Sequence, residues 1–253
     1  MSSRNKMLSI KLMTKYNILA GLVLGLSACA STGGIKSTKA SDFNADLGIQ
    51  YLQAGRLQLS NEKLQKALEQ SPNSPVANHY YAILQQRLGN TNKSAQFFKK
   101  AVNLSPKDPE IRNNYGSFLC DNGQPQAAIK QFTSSINDPL YRTPEFAYTN
   151  AGICLRKTGN DTKAEEYFRN ALRKKNAFPS ALLEMAGLYN DRKVYPRAQA
   201  FMSRYESVGK STPKALELCT IINQKMNDIA KSESCKSALL RLFPQSAEAR
   251  RVN

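Results

Sequence analysis

In the stretch Asn113-Asn-Tyr-Gly116-Ser-Phe-Leu-Cys120-Asp-Asn-Gly123-Gln-Pro-Gln-Ala-Ala128-Ile-Lys-Gln-Phe132, four positions matter: a small residue at Gly116, a glycine at Gly123, a second small residue at Ala128 and an aromatic ring at Phe132. The same order recurs along the chain. Small residues stand at Gly48, Ala82, Gly116, Gly152, Ala186 and Thr220, at intervals of 34, 34, 36, 34 and 34 residues. With that residue numbered position 8 of the period, position 15 holds Gly55, Gly89, Gly123 and Gly159, then Lys193 and Asn227. A glycine there accepts, at little cost, the left-handed backbone that ends a helix. Position 20 is Ser60, Ser94, Ala128, Ala164, Ala198 and Ser232, small throughout, as two closely approaching helices require. Position 24 is large and apolar at Leu64, Phe98, Phe132, Phe168 and Met202, with Lys236 as the exception. Position 32 is Pro72, Pro106 and Pro244, with Pro139 and Pro179 displaced by the irregular spacing.

A helix-turn-helix unit of this period resembles the tetratricopeptide repeat. The resemblance covers about residues 41–246 and implies an all-α fold, a superhelical solenoid of about six repeats. The repeat domain then runs over 42–246, with units near 41–74, 75–108, 109–144, 145–178, 179–212 and 213–246, and a tail at 247–253. The last unit departs most, with Asn227 at position 15 and Lys236 at position 24, as expected of a terminal repeat with one uncovered face. The 36-residue interval falls in Asn137-Asp-Pro-Leu-Tyr-Arg-Thr-Pro144, which lengthens the joint between the third and fourth units.

Residues 1–28 carry Arg4, Lys6, Lys11 and Lys15 and no acid, followed by the apolar run Ile18–Leu26, too short for an ordinary spanning helix. This is the layout of a signal peptide. It ends in Leu26-Ser27-Ala28-Cys29, which resembles the bacterial lipobox. That resemblance implies lipidation of the Cys29 thiol, cleavage before it and acylation of the new amino terminus, with palmitate among the chains; several chains anchor stably where one is marginal. Ala30, rather than Asp, implies the outer membrane, with the rest of the chain in the periplasm. Residues 29–41 are small and polar after the cysteine, the composition of a flexible tether.

The whole chain of 253 residues has 36 Lys and Arg against 19 Asp and Glu, a formal +17, and losing the four basic residues of the signal leaves about +13. Its 11 Tyr and 10 Phe exclude disorder throughout, and its polarity excludes a multi-span membrane protein. A basic periplasmic surface meets anionic headgroups, acidic wall polymer or an acidic protein; nucleic acid is not expected in that compartment. Catalytic chemistry finds no support. Val208-Gly209-Lys210-Ser211-Thr212 looks like half of a phosphate loop, but Arg204 stands where the other glycine is needed and the segment lies between helices. The single histidine, His79, has no nucleophile motif beside it, and no C-x-x-C, G-x-S-x-G or H-E-x-x-H occurs. No enzyme, metal, cofactor or small-molecule substrate is expected, apart from the covalent lipid.

With Cys29 assigned to lipid, Cys120, Cys154, Cys219 and Cys235 remain, an even number in an oxidising compartment with three possible pairings. Cys120 and Cys154 occupy positions 12 and 10 of first helices in neighbouring units, which pack side by side. Cys219 and Cys235 occupy positions 7 and 23 on the two helices of the last unit. These positions favour the pairs Cys120–Cys154 and Cys219–Cys235 over four buried thiols.

The central units carry a narrower signature: Asn113–Cys120, Asn122-Gly123, Asp138-Pro-Leu-Tyr141, Asn150-Ala-Gly-Ile-Cys154, then Ala181–Ala186, Tyr189 and Tyr195-x-x-Ala198. This looks like the type IV pilus biogenesis and stability lipoproteins, the pilotins of that machine. The resemblance implies a partner, the outer-membrane secretin, whose assembly or localisation the lipoprotein assists in support of pili and twitching motility. A different class remains: tethered repeat lipoproteins that serve outer-membrane protein assembly or act as adaptors for cell-wall hydrolases.

In such repeats, first-helix positions 2, 5, 6, 9, 12 and 13 line a concave groove that binds peptides or helices. The first unit offers an apolar strip, Ala45, Ile49 and Leu52; the middle units offer Arg87, Asn114, Asn150, Arg156 and Lys157. The latter resembles the arrangement by which some repeat domains hold a carboxylate, with His79 and Asn113 where lysine is usual. The strip is expected to supply affinity and the basic residues to steer an acidic segment.

Overall fold

Proline opens helices at Pro75, Pro109, Pro125, Pro144, Pro179 and Pro213, where its missing N–H leaves no donor orphaned. The computed structural model describes residues 32–252. Among the described residues the chain forms thirteen helices and no strand: α1 Thr32–Gln53, α2 Leu57–Gln70, α3 Pro75–Arg87, α4 Thr91–Leu104, α5 Pro109–Asp121, α6 Pro125–Ile136, α7 Pro144–Lys157, α8 Asp161–Lys174, α9 Pro179–Asp191, α10 Tyr195–Glu206, α11 Pro213–Lys225, α12 Ile229–Leu242 and α13 Ala247–Val252. The arrangement is solenoid-like, a succession of helix-turn-helix pairs. Contacts separate two compact units, one running to Leu84 and one from Gln85 onward, with the division inside α3.

Position 15 fixes the turn within each pair. Gly55, Gly89, Gly123 and Gly159 have φ between 72° and 78°, and Lys193 and Asn227 adopt the same left-handed region at 58° and 60°. The next residue's N–H then reaches back to the carbonyl five residues earlier, as in Arg56 to Tyr51 (2.8 Å), Gln124 to Leu119 and Val194 to Tyr189 (both 2.9 Å). That is the Schellman closure, which satisfies carbonyls the helix end would otherwise orphan. Lys193 and Asn227 accept a small steric cost to keep it, so the two positions that depart in sequence do not depart in backbone.

Positions 8 and 24 pack against each other inside a pair. A Cβ on Gly116 would lie 2.7 Å from the Phe132 ring, and one on Gly152 would lie 2.5 Å from the Phe168 ring; Gly48 meets Leu64 in the same way. The absent side chain is what lets a large one fill the gap between two antiparallel helices. Phe98, Phe132 and Phe168 are fully buried, as are the small residues Ser94, Ala128 and Ala164 at position 20. One core cluster joins Phe168, Leu182, Met185, Tyr189, Met202 and Ile222 across α8–α11.

A flexible tether does not extend to residue 41. Helix α1 begins at Thr32, so residues 32–41 are helical. The physical reason lies at the end of that segment. Ser41 is buried and its hydroxyl donates to the Ala67 carbonyl at 2.8 Å, while the Asn44 amide donates to Gln70 Oε1 and to the Ala40 carbonyl (both 2.9 Å). With that turn docked on α2, propagation of the helix backward costs only one residue's ordering per hydrogen bond. The signal segment and Cys29 lie outside the described residues.

The longer joint between α6 and α7 is a folded corner. The Asp138 carboxylate accepts the Leu140 N–H at 2.8 Å, Tyr141 is buried, and Leu140 is 84% exposed.

Candidate functional site

Helices α5, α7, α9 and α11 present the first-helix face of the unit that starts at Gln85. Asn113 of α5 is buried and accepts a 3.0 Å hydrogen bond from Asn150 of α7, so two of the expected groove amides satisfy each other; Asn114 is half-buried. Cys120 and Cys154 join the same two helices in a disulfide, with Cα atoms 5.8 Å apart. Cys219 of α11 and Cys235 of α12 form a second, with Cα atoms 6.0 Å apart. Glu206 lies close to that second pair, but its carboxylate faces Lys231 Nζ at 3.1 Å and both sulfurs are bonded to each other.

The basic patch expected at Arg156 and Lys157 is not free. Lys157 Nζ sits 2.6 Å from Asp121 of α5. Arg156 reaches Glu184 (3.3 Å) and Asp191, both on α9, and Asp161 (3.8 Å) at the start of α8. Glu184 is also paired with Lys214 of α11, and Glu217 holds Arg251 through two bonds of 2.6 and 2.9 Å. Position 13 alternates in charge from unit to unit, Asp121, Lys157, Asp191 and Lys225, so Lys157 meets Asp121 and Arg156 beside it meets Asp191. Arg87, in the last turn of α3, is exposed.

In the unit ending at Leu84, Ile49 and Leu52 are half-buried and keep part of their surface, whereas Ala45 is fully buried and offers none. His79 is also buried, at 4% exposure. Its helix α3 is covered around most of its circumference, with Ala77, Asn78, Tyr81 and Ala82 buried beside it, so position 5 does not open to a groove there.

Sequence reasoning missed two features. Phe43 on α1 is 68% exposed, and Phe146 on α7 is half-exposed where it meets Phe178 edge-on at 4.8 Å. Apolar residues alone in polar surroundings were the only signal. It also missed Glu165 of α8. Burial pushes this carboxyl up, but hydrogen bonds from Tyr189 (2.7 Å), Arg169 and Arg192 outweigh it and hold the group at about 2, against an ordinary 4.5. A carboxylate whose folded value is depressed stabilises the fold above its unfolded value, and that stabilisation is lost as pH falls through about 2. Glu165→Gln should therefore lower the melting temperature at neutral pH. Scans at successively lower pH should show the gap to wild type closing between about 4.5 and about 2. A gap of constant size would assign no ionic role to Glu165.

No helix among the described residues is long and apolar enough to cross a membrane. The tetratricopeptide repeat family matches residues 51–111, 97–130 and 147–174. The chain is 28% identical over 234 residues to the type IV pilus assembly protein PilF of Pseudomonas aeruginosa, covering 90% of this chain and 93% of that one. The solved structure of Pseudomonas aeruginosa PilF superimposes with a TM-score of 0.73 at 27% identity, covering 86% of this chain and 98% of the solved one. The solved structure of PilW, a widely conserved type IV pilus biogenesis factor, gives 0.74 at 28% identity, covering 84% and 97%. The chain is a tetratricopeptide-repeat protein homologous to the type IV pilus biogenesis factors PilF and PilW.

Proposed function

We propose that this chain is a non-enzymatic scaffold for type IV pilus biogenesis, anchored at the outer membrane through an acylated Cys29, that binds the pilus secretin and assists its assembly or localisation. The observation that carries the proposal is the length of the match to PilF, which runs along nearly all of both chains rather than over one repeat. The lipobox at Leu26–Cys29 supports the anchor. Only Ala30 and Ser31 separate Cys29 from the start of α1, so an acyl chain there would hold the first helix pair close to the bilayer and raise the effective concentration of a membrane-bound partner.

The affinity in this reading comes from Ile49 and Leu52, because burying such a side chain contributes roughly 1.5–3 kcal/mol. The first-helix face of α5, α7, α9 and α11, with Arg156 and Lys157 neutralised internally, contributes rigidity and shape. An epitope-tagged full chain expressed in its own host provides the test. It should co-purify with the secretin from membrane extracts. Recovery of a barrel-assembly complex or a wall hydrolase, with no secretin, would replace this reading with the adaptor one.

A further inference from the structure

A further cluster of positive charge lies on the second helices. In the unit beginning at Gln85, the second helices α8 and α10 form an open, shallow cavity of about 250 Å³ lined by Arg169, Leu172, Arg173, Phe201 and Arg204. Every polar group lining it is a guanidinium. Each is steadied by a neighbour: Arg169 donates to Glu165 (2.8 and 3.0 Å) and to the Tyr189 hydroxyl (2.8 Å), Arg173 donates to Asn170, and Arg204 donates to the Asn176 carbonyl (2.8 Å). Arg204 also lies over the Phe201 ring, 5.4 Å from its centroid, and that ring stacks on Tyr189 at 5.7 Å and 8°. Glu165, which Arg169 contacts, is already shared with Arg192. Among the described residues no carboxylate pairs with Arg173 or Arg204.

Held guanidiniums are an economical anion receptor. Their planar forks match a carboxylate through two parallel hydrogen bonds, and little side-chain freedom remains to be lost on binding. Leu172 and Phe201 add an apolar floor between them. We propose that this cavity is a second binding site, separate from the first-helix groove, for an acidic protein segment in which a carboxylate stands beside an apolar side chain. Its shape favours a peptide over a lipid surface. A bilayer is met by protruding cations and by aromatic rings that insert, whereas Phe201 is half-buried and roofed by Arg204.

The test uses the purified chain and a fluorescently labelled peptide carrying paired Glu residues flanked by Leu, followed by anisotropy. A counterpart peptide with Gln for Glu and vesicles of phosphatidylcholine with or without phosphatidylglycerol serve as competitors. Arg173→Glu with Arg204→Glu should weaken the Glu peptide at least about tenfold, the scale of one lost charge-assisted bidentate contact. Lys99→Glu with Lys130→Glu makes the same change in net charge elsewhere and should stay within about twofold of wild type. Arg173→Lys with Arg204→Lys keeps charge and fold but removes the forks, and should weaken binding by an intermediate factor. Equal loss in the control pair, unchanged binding in both arginine pairs, or competition by phosphatidylglycerol vesicles that exceeds the Gln-to-Glu difference would each overturn the proposal.

Discussion

Cells carrying Ile49→Asp with Leu52→Asp should contain no assembled secretin multimers, although the variant chain is present at normal levels. Both residues lie on α1, both are half-buried, and neither belongs to the fully buried set that includes Ala45, Leu64 and Ala67. A carboxylate placed on a surface that a partner must desolvate forfeits the apolar contribution and adds an unpaired charge, so the two changes together exceed the few kcal/mol that the strip contributes. The helical spectrum and melting curve of the purified variant should remain close to wild type. Ile49→Ala with Leu52→Ala, which introduces no charge, should reduce multimers without abolishing them. Normal multimers in the folded aspartate variant would remove the strip from the binding site.

Phe168→Ala should destabilise the chain by about 3–5 kcal/mol, and lower its melting temperature by about 10 °C. Phe168 is fully buried, and the space its ring fills exists because Gly152 opposite has no side chain. Gly152 has no side chain to move into the cavity, which places the cost at the high end for a truncation. The same geometry makes a sharper statement about coupling. Gly152→Ala alone should destabilise, since its Cβ would stand 2.5 Å from the ring. In the Phe168→Ala background that methyl group has room and should recover part of the loss. A double variant as unstable as the sum of the two singles would show that positions 8 and 24 are not packed as described.

Much of this architecture is legible in the sequence because the repeat exposes the same physical demand several times. One glycine before a proline says little, but Gly55, Gly89, Gly123 and Gly159 at a common position identify a helix end, and the structure extends the same backbone to Lys193 and Asn227. The pairing of Gly116 with Phe132 is equally local, within one helix pair. What was not legible depends on neighbours one unit away. Arg156 reads as a free cation until α9 brings Glu184 and Asp191 against it. His79 reads as a groove residue until its helix is seen buried on most sides. The helical start at Thr32 was hidden by small polar residues whose composition suits a linker, and it depends on the docking of Ser41 against Ala67. The arginine-lined cavity of α8 and α10 was invisible for a related reason, since Arg169 and Arg204 are separated by a whole unit and meet only when second helices stack.

The most direct test of the scaffold role is the amount of assembled secretin multimer in outer-membrane fractions of a clean deletion strain, measured with and without the wild-type chain restored. Loss of multimers and of surface pili on deletion, both recovered on restoration, is the predicted result. Normal multimers and normal pili in the deletion strain would contradict it.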